Sequence, residues 1–501
     1  MRKSNSPKPL KILIASAEVA PFAKVGGLAD VAGALPKALK ALGHDVRVIM
    51  PSYRMIEADP RYAVKDLVSW FDVPIPDGHS ERACIRQTRI GEDIPVYLIG
   101  SDHFFTEATE SKKVYSLQPE PYIFFDRAIA EAIPRLSPNR RPNIIHCNDW
   151  QTSLTPVYLE QFFGAHPTWG DAARVFTIHN LAYQGDFDRD VLLRTGLPES
   201  VFTYDQMEFY GRLNFMKGGL VYSDLVNTVS ETYAKEVQTE EYGSRLEGLL
   251  QYLDSQGKLS GIVNGIDYEE YDPQIDPRIP SHFNSEDLAG KMKCKKALQA
   301  EAGLPRDSKS PLIGIISRLA DQKGFDLIAE IAPRMLELPI QFIVLGTGEP
   351  RYEALFKELE ARFPTKAKAF IGFDAALAQR IYAGCDMFLM PSQFEPCGLG
   401  QLMSLRYGTI PLVRATGGLA DTIRDYSSGD GWGFVFSEYN SAALMDCVER
   451  ACESFKGKSA WKELVKRAMS VDYSWTHSAR DYEGLYRRAI AVHRNSGLLA
   501  A

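Results

Sequence analysis

The sequence predicts an α/β protein of two domains, each a parallel sheet covered by helices. Three observations lead there. Apolar, β-branched runs alternate with segments of helical period in two separate series along the chain. A chain of 501 residues, 45% of them hydrophobic, can bury two ordinary cores, and one compact core fits that length poorly. Nearly the same glycine loop also occurs in both halves, Lys24-Val25-Gly26-Gly27-Leu28-Ala29-Asp30 and Thr416-Gly417-Gly418-Leu419-Ala420-Asp421, each time between a strand and a helix.

The first series opens with Ile12 to Ser16, a buried strand, followed by the first glycine loop. Leu28, Val31, Leu35 and Leu39 then recur at helical spacing, Gly43 stops the helix, and Val46 to Met50 is the next strand. A glycine pair ahead of a helix lets backbone N–H groups approach an anion, the helix dipole favours negative charge there, and Lys24 adds a full positive charge. Strand patterns follow at Ala83–Ile85 and Val96–Ile99, then a helix over about Tyr122 to Ile133. The run Asn143-Ile144-Ile145-His146-Cys147-Asn148-Asp149-Trp150 is a strand ending in a polar cluster. Asp149 reads two ways, as a carboxylate that orients a ligand hydroxyl or as a cap for a helix starting near Thr152. Val175 to Ile178 is another strand, and His179 stands at its end beside a polar loop. The aromatic stretch Tyr204 to Tyr210 could stack on sugars or fill a core. Strands at Asp224–Val229 and Gly261–Val263 complete the series, and Asn264 to Pro280, rich in proline and aspartate, reads as a linker.

The second series has strands at Leu312–Ser317, Gln341–Leu345, Ala369–Ile371, Met387–Met390 and Ile410–Val413, each separated by a helical pattern. The predicted division is 1–263 and 264–478, with a last helix over 479–501 that packs back on the first domain. Ligands in open α/β sheets bind beyond the carboxyl ends of the strands, and domain clefts are favoured sites, so the two glycine loops are expected to face a shared deep cleft.

Formal charge is −7, which gives no electrostatic case for nucleic acid or an anionic membrane. The seven cysteines form no CxxC pair, which points to a reducing, cytoplasmic compartment rather than a disulfide framework or zinc site. The basic start, Met1 to Lys11, meets an apolar run too short for a signal-peptide core or a membrane span. No HExxH, DxD or cysteine cluster predicts a metal, and no cofactor is expected.

Arg318 and Lys323, at a strand-to-helix junction, are two fixed cations of the kind a diphosphate needs: arginine binds phosphate oxygens bidentately, lysine supplies a compact charge. Pro391-Ser392-Gln393-Phe394-Glu395-Pro396-Cys397-Gly398-Leu399-Gly400 follows a buried strand and precedes a helix. Glu395 could bond a sugar hydroxyl, with the N–H groups of Gly398 and Leu399 facing phosphate or sugar.

Taken together and in this order, Lys24 to Asp30, His179-Asn180, Arg318 with Lys323, Glu395 to Leu399 and Thr416 to Leu419 closely resemble the bacterial glycogen synthases and plant starch synthases, over essentially the whole chain. The resemblance implies a GT-B fold of two Rossmann-like domains, the first on the acceptor side and the second binding the nucleotide sugar. It implies transfer of glucose from ADP-glucose to the non-reducing end of an α-1,4-glucan (glycogen, starch or a maltooligosaccharide) with retention of configuration; UDP-glucose as donor and a different acceptor are the alternatives. It also implies catalytic roles for Lys24, Asp149, His179, Arg318, Lys323 and Glu395. Gly26, Gly27, Asn264, Phe373, Cys397, Gly398, Leu399, Thr416, Gly417 and Gly418 would contact the donor. His179 would touch the glucose near its C6 hydroxyl, and Arg318 and Lys323 would stabilise the departing diphosphate.

The chain departs from the family pattern in three places. Phe373 stands where a tyrosine is expected over the base, Phe105 replaces a tyrosine in an acceptor-side loop, and Met403 occupies the place of a ribose-binding glutamate. A two-domain dinucleotide oxidoreductase would need GxGxxG after the first strand, which is absent. A silent glucan-binding protein gives no reason to keep Arg318, Lys323 and Glu395 together.

Overall fold

In the computed structural model, which describes residues 8–76, 79–136, 141–164 and 171–500, the predicted strand, glycine loop, helix and strand open the chain. The basic residues up to 7 lie outside the described residues. The strands are β1 (Lys11–Ala15) and β2 (Asp45–Pro51), paired in parallel, and the helix between them is Gly27–Ala41. Its buried positions include Leu28, Val31, Leu35 and Leu39, the apolar stripe read from the sequence, and Gly43 adopts the left-handed conformation (φ 90°) that a helix stop requires.

Contacts divide the chain into two units. One holds the described residues up to Val229, Ala234–Ile262 and the helix from Trp475; the other holds Ser230–Tyr233 and Val263–Ser474. The first unit adds β3 (Lys65–Pro74), β4 (Ser80–Ile90), β5 (Ile94–Ser101), β6 (Ile144–Asn148), β7 (Ala173–Ile178), the short strands β8 (Asp186–Phe187), β9 (Glu208–Phe209) and β10 (Arg212–Asn214), then β11 (Leu225–Thr228) and β12 (Leu259–Gly261). Its main sheet has nine strands in the order β12-β11-β7-β6-β1-β2-β5-β4-β3.

That sheet is not parallel throughout. β4 runs antiparallel to both β5 and β3, so the unit ends in an antiparallel flap. The sequence pattern had not shown β3 because most of its residues are exposed and its pairing with β4 shifts register twice, which erases the alternation of a half-buried strand. β8, β9 and β10 form a separate three-stranded sheet, with β9 in the aromatic stretch, where Tyr204 and Tyr210 are exposed and the Arg245 guanidinium lies 3.5 Å over the Tyr210 ring.

The last helix, Trp475–Ala500, packs Trp475, Ala479, Tyr482, Leu485, Tyr486 and Ala489 against Ile12, Ile14, Val31 and Leu35 in the core of the first unit. Its one buried apolar stripe would otherwise face water, and this face of the sheet supplies the cover.

The second unit contains β13 (Leu312–Ile316), β14 (Gln341–Gly346), β15 (Ala367–Ile371), β16 (Met387–Met390), β17 (Ile410–Arg414) and β18 (Phe434–Phe436), ordered β15-β14-β13-β16-β17-β18 and all parallel. The stretch 264–280 read as a linker is instead packed into this unit. Tyr271 and Ile279 are buried in its core, and the Asp276 carboxylate accepts from Tyr407 Oη (2.5 Å) and Arg278 Nε (2.6 Å). Proline and aspartate mark irregular backbone in a sequence, and irregular backbone is not the same as exposed backbone.

Candidate active site

Each unit gathers its polar residues where the carboxyl ends of neighbouring strands line up. In the first unit β1 pairs with β6, and β6 with β7, in register from Ala15↔Cys147 to Asn148↔Thr177. The segments that follow these three strands therefore emerge side by side, carrying Glu18 and the glycine loop, Asp149, and His179.

Asp149 is not a helix cap. Its side chain makes no capping bond, and the helix ahead starts as a 3₁₀ turn, Trp150–Thr152, before Leu154–Phe163. The carboxylate of Asp126 takes the capping position instead, accepting from Leu154 N (2.9 Å) and Thr155 Oγ1 (2.7 Å). Asp149 has φ 57°, a left-handed backbone uncommon outside glycine, and its Oδ1 accepts from the N–H groups of His179 (2.7 Å) and Asn180 (3.4 Å). Burial pushes its carboxyl pKa up to about 7, against the two N–H bonds that pull it down. Folded protein thus keeps this proton to higher pH than the unfolded chain, so stability from this group is full below the unfolded pKa of about 4 and is lost as pH rises through about 7. Asp149→Asn keeps the acceptor oxygen and removes the titration. It should unfold at higher urea than wild type at pH 8, by about 2 kcal/mol allowing for partial exposure, and match it at pH 4. Equal midpoints at pH 8 would refute this.

Glu18 is the residue the sequence reading missed. Its carboxyl oxygens accept from Val25 N (2.5 Å), Gly26 N (3.0 Å) and Tyr115 Oη (2.9 Å), so two N–H groups of the first glycine loop are already taken by a side chain of the protein's own. Burial raises its pKa. A lone carboxylate inside the apolar run Ala17 to Ala20 was the available signal. What remains for a ligand begins at Gly27, the first residue of the helix, whose first-turn N–H groups have no partner within the helix. Lys24 reaches Asp30 Oδ1 at 2.6 Å and stays partly exposed. Phe105, with φ 68°, sets its ring edge-on to Tyr53 at 5.7 Å.

In the second unit β13, β16 and β17 are neighbours, and the segments after them carry Arg318 and Lys323, then Ser392 and Glu395, then Thr416 to Gly418. Lys323 ends a 3₁₀ turn, and its Nζ bonds both Glu395 oxygens, at 2.9 and 2.7 Å; Ser392 Oγ adds a bond to Oε2 at 2.9 Å. Arg318 Nη2 donates to Gln322 Oε1 at 3.1 Å. Gly418 N donates to the Glu395 carbonyl at 3.1 Å, and a Cβ on Gly417 or Gly418 would stand 2.0 Å from the Glu395 carbonyl or 2.2 Å from that of Cys397. The two loops are thus in backbone contact, which only glycine allows. Gly398 takes φ 73°, its carbonyl accepts from Gln401 Nε2 at 2.9 Å, and Leu399 leads into the helix Gly400–Arg406.

Cys397 is buried, its thiol pKa pushed up to about 12, with hydrogen bonds from Asn264 reaching the sulfur. The Asn264 Oδ1 is buried without a hydrogen-bond partner among the described residues. Met403 is buried in the core of this unit. Phe373 follows β15, two strands away from β13, and is 81% exposed, a ring presented to solvent.

Two family models match in succession, the starch synthase catalytic domain over residues 11–252 and glycosyl transferases group 1 over 299–467. The glycogen synthase of Desulforudis audaxviator is 48% identical over 500 residues, spanning 96% of this chain and 97% of the relative. The chain belongs to the glycogen and starch synthase family. The glycogen synthase of Thermotoga maritima is 44% identical over 490 residues, spanning 96% of this chain and 99% of its own. Among solved structures, the catalytic domain of starch synthase IV from Arabidopsis thaliana, bound to ADP and acarbose, matches with TM-score 0.89 and 35% identity over 97% of this chain and all of that one (100%). A sucrose-phosphate synthase from Thermosynechococcus elongatus, at 16% identity and TM-score 0.60, shares the fold alone. The protein is accordingly a glucosyltransferase of the GT-B fold, a glucan synthase acting with a nucleotide-sugar donor. No helix among the described residues is long and apolar enough to cross a membrane.

Proposed function

We propose that the enzyme transfers glucose from ADP-glucose to the non-reducing end of an α-1,4-glucan with retention of configuration, in the cytoplasm. One observation carries the assignment of the site: Lys323, Glu395 and the Thr416-Gly417-Gly418 turn are locked together at the carboxyl edge of one sheet, so cation, carboxylate and helix start can address one ligand. Nothing in a core of this kind requires a lysine bonded twice to a glutamate.

In this reading Arg318 and Lys323 carry the charge of the departing diphosphate. An ammonium has three N–H donors, and Glu395 takes two, which leaves one for a phosphate oxygen. Glu395 holds glucose hydroxyls, with the Gly398, Leu399 and Gly418 backbone close by. Asn264 Oδ1, buried and without a hydrogen-bond partner among the described residues, would accept a donor hydroxyl, consistent with its place beside Cys397. Phe373 stacks on the base. On the first unit Lys24 and the helix start at Gly27 would meet phosphate and sugar, Asp149 would lie near the reacting carbon, and His179 would contact the hydroxymethyl end of the glucose.

Retention then proceeds by front-side attack, the acceptor hydroxyl giving its proton to a diphosphate oxygen as the C1–O bond breaks. Asp149 is held by the His179 and Asn180 N–H groups, which fits a positioning role better than that of a nucleophile. Rate enhancement then comes from positioning and fixed charge. Competition between ADP-glucose and UDP-glucose on short maltooligosaccharides, with product linkage determined, tests the whole reading. The expected result is α-1,4 extension with ADP-glucose preferred by at least about tenfold in kcat/KM, or about 1.4 kcal/mol. Equal use of both donors would remove the donor assignment, and no extension of maltooligosaccharide would remove the acceptor.

A further inference from the structure

β6 ends on Asn148, a buried side chain whose two ends have different neighbours. Its Nδ2 donates to the Ala15 carbonyl at the end of β1 (3.0 Å) and, more weakly, to the His146 carbonyl (3.5 Å). Both are acceptors only, so the amide cannot be turned round without setting its oxygen against two carbonyls. Oδ1 therefore faces the His179 ring, 2.9 Å from Nε2. A carbonyl oxygen can only accept, so Nε2 must carry the hydrogen. Burial lowers the His179 pKa to about 3, so the ring is neutral at working pH and its Nδ1 bears a lone pair. The His179 backbone N–H is tied to Asp149 Oδ1 at 2.7 Å, so ring and backbone are both anchored on the same strand end.

We propose that Asn148 is a positioning residue that locks His179 in the Nε2–H tautomer, so that Nδ1 accepts a hydrogen bond from a hydroxyl of the glucose being transferred. The inference rests on the reading of His179 as a contact to the hydroxymethyl end of the donor. It gives the site a preference with a definite chemical sense. Nδ1 rewards a group that donates and gives nothing to one that only accepts.

Two measurements test it. Nitrogen-15 NMR of histidine-labelled protein without ligand, with the His179 signals identified by their loss in His179→Asn, should show protonated Nε2 and bare Nδ1. A protonated Nδ1 would overturn the assignment whatever the donor proves to be. ADP-glucose analogues then read the consequence. The 6-deoxy and the 6-deoxy-6-fluoro donors should both lose about tenfold in kcat/KM, because fluorine cannot donate. In Asn148→Ala, where the ring is no longer held, both penalties should shrink to within about threefold. A fluoro donor used as well as the parent by the wild type, or undiminished penalties in Asn148→Ala, would sink the proposal. If the wild type uses no glucose nucleotide at all, the functional reading falls, while the tautomer measurement still decides the role of Asn148.

Discussion

Lys323→Ala is expected to lower kcat by about a hundredfold to a thousandfold at saturating donor, the loss of one preorganised charge at the leaving group, equivalent to roughly 3–4 kcal/mol. The same change strands the Glu395 carboxylate, which is 6% exposed and, among the described residues, keeps only the Ser392 hydroxyl of its present side-chain donors. Breaking a fully buried pair costs roughly 3–5 kcal/mol; with Lys323 partly exposed, about 1–2 kcal/mol of stability is expected here. The two effects separate by measurement, kcat from initial rates and stability from urea unfolding. Lys323→Arg should restore the charge without the activity, because a longer, planar guanidinium that bonds Glu395 cannot put an N–H where the compact ammonium holds its third. Turnover within about threefold of wild type in Lys323→Ala would remove the residue from the reaction.

Gly418→Ala should be nearly as damaging, for a different reason. The added methyl would stand 2.2 Å from the Cys397 carbonyl oxygen and 2.5 Å from its Cα, both backbone atoms that cannot rotate away. The loop holding Glu395 must then move, and the Gly418 N–H bond to the Glu395 carbonyl goes with it. Overpacking of this kind costs about 1–3 kcal/mol, and a displacement of about 1 Å at reacting groups costs about a hundredfold in rate. Gly417 is as tightly placed, its Cβ 2.0 Å from the Glu395 carbonyl oxygen, but its counterpart in the first unit, Gly26, behaves otherwise. A Cβ on Gly26 would meet only Glu18 Oε1, at 3.5 Å, an ordinary contact, so Gly26→Ala should unfold within about 0.5 kcal/mol of wild type. Gly418→Ala equal to wild type in both stability and rate would show that the two loops are not coupled.

That contrast marks how far the sequence could be read. The two GG-Leu-Ala-Asp stretches are nearly the same words, and their shared place between strand and helix was legible from periodicity alone. Their surroundings were not. The first loop is folded onto Glu18, a side chain of its own segment, and the second onto the Glu395–Cys397 backbone of another, and neither contact is written in the loop's own residues. Asp149 shows the same limit. Its position at a strand end was plain, but that it caps no helix follows from Asp126, a side chain 28 residues from the helix it caps. The antiparallel flap at β3 escaped notice because its residues face water, where hydrophobic alternation carries no signal.

The alternation of the buried parallel strands with their helices, the family, and the residue types at the strand ends were legible in the chain, since local periodicity and short motifs are written in neighbouring residues. Which of those residues bond one another came from the folded chain alone: Lys323 with Glu395, Asp149 with the His179 backbone, Asn148 with its ring. Parallel pairing aligns strand ends from distant parts of the chain, and hydrogen bonds with their charge depend on distances that spacing along a sequence does not contain.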